Sequence, residues 1–93
     1  MKVEFSEYQD GLGNWHVGFF KKFQTGIDNF VLPARVLGIP LNEYYAFVIE
    51  NYKPDHVFYN DRGLVVFTWT NYAKAHNLVL YLNKAARKNN LTI

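Results

Sequence analysis

Val57-Phe58-Tyr59-Asn60-Asp61-Arg62-Gly63-Leu64-Val65-Val66-Phe67-Thr68-Trp69 is the stretch whose reading decides the fold class. Two runs rich in β-branched and aromatic residues flank a tetrad of turn formers ending in glycine, which is the composition of a bulged hairpin. The chain then changes period. Thr70 or Asn71 can cap a helix in which Tyr72, Ala75, Leu78, Val79, Leu82, Ala85 and Ala86 form one wide apolar stripe, ended by Asn89 and Asn90.

Working back toward the N-terminus, Pro40 opens another helix with Asn42 and Glu43 in its first turn and Asn51 to Pro54 ending it. Leu41, Tyr44, Tyr45, Val48 and Tyr52 share one face of it, and Glu43 and Glu50 lie opposite. Before that comes Pro33, which a helix tolerates in its first turn. The spacing therefore predicts a short helix from about Phe30 to Leu37, with a break at Gly26, a cap at Asp28 or Asn29, and Gly38 as terminator. Further back, Val3 and Phe5 alternate with Lys2, Glu4 and Ser6 as in a half-buried strand. Asp10, Gly11, Gly13 and Asn14 make a turn, and the return strand places Trp15, Val17 and Phe19 on one face, with His16, Gly18 and Phe20 on the other.

The element order is ββααββα. It predicts one α+β domain over residues 1–93, in which two hairpins build an antiparallel sheet of about four strands with helices packed on one face. Tyr8, Asp10 and Gly13 precede one aromatic strand much as Tyr59, Asp61 and Gly63 precede the other. Hairpin turns converge on these residues, so the likeness reads as shared turn chemistry rather than duplication.

Composition limits the chemistry. At 93 residues, with 49% apolar and 19% charged side chains, the chain has enough apolar material to bury a core without covalent staples. The absence of cysteine excludes disulfides, thiolate zinc, iron–sulfur ligation and a cysteine nucleophile, and fits a reducing, cytoplasmic compartment. No apolar run has membrane-spanning length and Met1 to Asp10 holds no signal-peptide core, so the expectation is no membrane. His16, His56 and His76 lack zinc-ligand spacing, Ser6 is a lone serine without an elbow motif, and Gly11-Leu12-Gly13 has no lysine–threonine pair behind it. No catalytic residue, metal or cofactor is expected. An enzyme would have to work with Asp55, His56 or His16 as acid–base groups.

Three short resemblances arise. Ala34-Arg35-Val36-Leu37-Gly38-Ile39-Pro40 resembles the helix-turn-helix pattern of bacterial regulators, but Leu41 to Tyr52 lacks the Lys or Arg that would meet phosphates. Arg62 to Trp69 resembles the longer signature of RNA-recognition motifs, yet Leu64 and Val66 stand where stacking rings belong. Pro54-Asp55 resembles the start of the restriction-type nuclease motif, which no later acid completes.

Charge is unevenly distributed. All eight acids lie at or before Asp61, against five basic residues there, whereas Arg62, Lys74, Lys84, Arg87 and Lys88 follow with no acid among them. Lys84, Arg87 and Lys88 complement the end of a helix dipole, and that alone accounts for their placement. On the same helix, however, Leu80 lies nearly opposite the core stripe and Tyr81 at its margin, beside His76, Asn77, Lys84, Arg87 and Lys88. Apolar anchors within a polar rim are how interfaces are built. The sequence therefore points to a small non-catalytic intracellular binding protein, an adaptor or inhibitor, that docks on a protein partner or self-associates through these seven residues. Its richness in Asn, Lys, Tyr and Phe is by association that of an AT-rich genome, suiting a phage or mobile element. The alternative is nucleic-acid binding by Arg62, Lys74, Lys84, Arg87 and Lys88, with Trp15, Phe20 or Trp69 as stacking rings.

Overall fold

The computed structural model describes residues 4–19, 26–59 and 64–89. Two strands, β1 (Phe5–Gln9) and β2 (Trp15–Phe19), pair antiparallel, with Tyr8 opposite His16 and Gln9 opposite Trp15. Asp10 organises the turn between them: its carboxylate accepts the N–H of Leu12 at 2.8 Å and of Asn14 at 3.0 Å, and its carbonyl accepts Gly13 N–H at 3.1 Å. Gly13 has φ +86°, a conformation that favours glycine.

The helices α1 (Gly26–Leu37) and α2 (Leu41–Tyr52) follow. α1 begins earlier than the proline implied, and Pro33 lies inside it. The lost backbone donor is the cost of that position, and Pro33 is buried there. Gly38, at φ +70°, terminates α1 as expected: its N–H reaches Arg35 O and Ile39 N–H reaches Ala34 O, both at 3.1 Å, the bond pair of a left-handed helix stop. A second hairpin, β3 (His56–Tyr59) and β4 (Val65–Thr68), leads to α3 (Tyr72–Lys88), which Asn71 caps by accepting Ala73 N–H at 2.8 Å. The turn at Asn60 to Gly63, and with it Arg62, lies outside the described residues, as does Phe20.

The expected four-stranded sheet is replaced by two separate two-stranded sheets. They touch at one rung, where Trp15 and Trp69 exchange backbone bonds of 2.6 and 2.9 Å. Strand alternation explains why contact begins there. Asp10 N–H bonds Asn14 O, so residues 10, 8 and 6 pair inward with β2, and the backbone groups of Trp15 and Val17 turn outward toward β4. By the same parity Trp69, Phe67 and Val65 turn theirs toward β2. The ladder does not continue: no backbone bond joins Val17 to Phe67, and farther along β4 Val65 N–H goes to the Tyr45 hydroxyl at 3.3 Å.

Helices supply the rest of the cohesion. Phe5, Val36, Val48, Trp69, Leu78 and Leu82 are the largest fully buried side chains, drawn from five different segments. α3 packs on both strands of the first hairpin and on α1 and α2. The Tyr45 ring of α2 meets Phe67 of β4 edge-on at 5.9 Å. Two rings proposed for stacking are thereby accounted for: Trp69 is 1% exposed and donates its indole N–H to Tyr52 O at 2.8 Å, and Trp15 packs against the core.

Candidate functional site

α3 presents its solvent face through Asn77, Leu80, Lys84, Arg87 and Lys88, all exposed. Leu80 is 53% exposed and Tyr81 43%. These two differ in their surroundings. Tyr81 leans on α2, its ring 5.3 Å from Phe47 and 6.4 Å from Tyr52, whereas Leu80 is the more exposed of the two. Among the described residues no carboxylate lies within ion-pair distance of Lys84, Arg87 or Lys88. Lys74 is apart from the others, toward Asp55, whose carboxyl is held below its usual range by the Thr70 backbone N–H first and the Thr70 hydroxyl next, with Lys74 contributing less.

His76 leaves the group. Its Nδ1 lies 3.5 Å from Glu7 Oε2, and its ring stacks on Tyr72 at 5.3 Å. Tyr72, expected on the core stripe, is 43% exposed instead. Its hydroxyl donates to Glu7 Oε1 at 2.9 Å, a bond that raises the phenol pKa, and its ring meets Trp15 edge-on at 4.9 Å. Since the phenol proton goes to Glu7, His76 Nδ1 must be the donor in the 3.3 Å contact with the Tyr72 oxygen. Glu7 Oε2 is buried and has no hydrogen-bond partner among the described residues. Tyr72 and His76 lie one turn apart on α3, but Glu7 comes from β1, 65 positions before Tyr72, and no local pattern announced it.

The groups considered for acid–base work are dispersed as well. Asp55 accepts the Thr70 N–H at 2.8 Å and its hydroxyl at 3.1 Å, a structural cap before α3. His56 stacks on Phe58 at 5.9 Å. His16 instead pairs with Asp10, Nε2 to Oδ2 at 2.7 Å, and stacks on Tyr8 at 4.8 Å. Asp10 is held below its ordinary pKa by this bond first and by the Asn14 and Leu12 N–H groups as well.

A pH dependence follows from Asp10 and Asp55. A carboxyl whose pKa is depressed in the folded state contributes stability above its unfolded value, and loses that contribution as pH falls through the folded one. Unfolding midpoints should therefore decline on acidification below about pH 4, where free aspartates titrate. In the double variant Asp10→Asn, Asp55→Asn, the slope of midpoint against pH over that window should be shallower. Equal slopes in thermal melts from pH 5 to pH 2 would contradict the assignment.

Beside His16 lies a cleft of about 70 Å³ between the two hairpins, with Val17 of β2 on one side and Val65, Val66 and Phe67 of β4 on the other, and with Tyr44 and Tyr45 also in its wall. Among the described residues, no cluster of three or more potential ligands is placed to hold a metal, and no helix is long and apolar enough to cross a membrane. Neither family models, nor curated proteins, nor solved structures yield a match to this chain.

Proposed function

We propose that the protein is a non-catalytic binding module, an intracellular adaptor or inhibitor, that docks on an acidic protein surface through the outer face of α3. The observation that carries this reading is Leu80, half exposed in the midst of cations that no carboxylate among the described residues neutralises. An apolar anchor supplies affinity, and surrounding like charges steer toward acidic partners and reject basic ones. Asn77, Tyr81 and Lys88 form the rim, and His76 is a brace to β1 rather than a contact residue.

Leu80→Glu with Arg87→Glu tests this. Exposed positions tolerate substitution within about 0.5 kcal/mol each, so the melting temperature of the double variant should move by no more than about 8 °C. Affinity capture from the native host should lose its specific partner. Identical protein sets on the wild type and the double variant would overturn the reading. Retention of a mixed oligonucleotide pool at low salt, lost in the variant and steeply weakened by added salt, would replace it with nucleic-acid binding.

A further inference from the structure

The cleft lies where a second rung between β2 and β4 belongs. Two residues beyond the Trp15–Trp69 rung, the parity of both hairpins directs the N–H and C=O of Val17 toward β4 and those of Phe67 toward β2. No backbone bond joins Val17 to Phe67, and among the described residues neither has a side-chain partner for these groups. Two strand edges thus confront each other with donors and acceptors uncommitted. Backbone donors and acceptors without a protein partner are the minority in folded chains, and here they face a cleft.

The protein satisfies a similar edge elsewhere, and by a specific means. At the outer edge of β1, the Asn83 carboxamide accepts Phe5 N–H at 2.6 Å and donates to Phe5 O at 3.0 Å. An amide is the group that matches a strand edge, since it carries the same donor and acceptor as a peptide. The cleft selects for the same chemistry without charge. Among the described residues its lining includes no Lys, Arg, Asp or Glu. The buried Tyr44 phenol is kept protonated by burial, and its hydroxyl has no hydrogen-bond partner among the described residues. The Tyr45 oxygen already accepts Val65 N–H, leaving its proton to donate. Asp10 occupies His16 Nε2, so Nδ1 is the ring nitrogen left to bond an occupant.

We propose that this cleft binds a small uncharged carboxamide, whose carbonyl accepts from one strand edge and whose N–H donates to the other. Its aliphatic end lies against Pro33, Val66 and Leu78, which complete the wall. The volume of about 70 Å³ suits a head group of this size rather than a fused ring system. This inference is independent of the α3 surface and survives if that surface fails.

The experiment is an amide-resolved NMR titration of the wild-type chain with propionamide, with butanone and propionate in parallel. Butanone keeps the shape and carbonyl but lacks the N–H; propionate carries a charge. Propionamide should move the Val17 and Phe67 amide resonances saturably, butanone should bind about five- to ten-fold more weakly, and propionate should leave them unmoved. Val17→Pro removes the outward N–H without a β1–β2 ladder bond and should weaken propionamide by a similar factor. Should that variant not fold, hydrogen exchange in the wild type decides the geometry: Val17 and Phe67 amides should exchange much faster than the Trp69 amide. Equal response to all three probes, no response at Val17 and Phe67, or ladder-like protection of those two amides would each overturn the proposal.

Discussion

Trp69→Ala is expected to lower the unfolding free energy by about 3–5 kcal/mol, the range for emptying a buried aromatic site. For a 93-residue domain, whose total stability is of order 5–14 kcal/mol, that is a large share. The expected fall in melting temperature is at least about 12 °C. The reason is position as well as size. Trp69 is the largest fully buried side chain; it follows β4, bonds Trp15 through its backbone, and donates its indole N–H to the Tyr52 carbonyl at 2.8 Å. Truncation removes ring contacts at the junction of both hairpins and leaves that carbonyl without its donor. Trp69→Phe separates the two contributions: it restores much of the apolar volume but not the hydrogen bond, and should recover more than half of the loss. Urea melts monitored by circular dichroism provide the measurement. A loss below about 1 kcal/mol for the alanine variant would mean that the hairpins are held together elsewhere.

Asn83→Ala should cost about 2–3 kcal/mol, from the two hydrogen bonds lost between its amide and the Phe5 backbone. The effect should be localised. Phe5 is fully buried, and the Asn83 amide ties its backbone to α3 across 78 positions of sequence. Hydrogen exchange at Phe5 should accelerate more than exchange in the interior of α3. Asn83→Asp is the sharper probe: it keeps the acceptor toward Phe5 N–H but turns the donor facing Phe5 O into a second acceptor. At neutral pH it should be at least as damaging as alanine, and it should recover as the carboxyl is protonated, since a protonated acid can donate again. Equal melting temperatures for Asn83→Ala and the wild type would remove the clasp from the account of β1.

Elements with a local cause were legible in the sequence. Gly38 stops α1 because a left-handed residue is needed there, Asn71 caps α3 with its own side chain, and the alternation around Val57 to Trp69 marks β3 and β4. Where sequence reading failed, a distant residue had intervened. Pro33 in the interior of α1 reflects burial against partners that helix propensity does not register. The split of the sheet, in which Val17 and Phe67 share no backbone bond and Val65 N–H goes to a hydroxyl on α2, 20 residues away, leaves no mark on strand periodicity. Tyr72 fits the α3 stripe by angle, but Glu7 and Trp15 draw it to the rim. The candidate surface divides along the same line. Leu80 and its basic neighbours could be placed from helical angle alone, whereas His76 was lost to a carboxylate 69 positions earlier and the cleft required strand parity in both hairpins.

The lone Trp15–Trp69 rung has a mechanical consequence. A pair of parallel bonds at one point fixes separation but barely resists rotation, so the two hairpins resemble scissor blades pinned at a rivet. Their opening angle is then dictated by whatever presses on the blades, which here is the helical layer. A tilt of α3 or α2 of only a few degrees would be magnified with distance from the pivot, and force applied to the helices would be felt most at the blade tips.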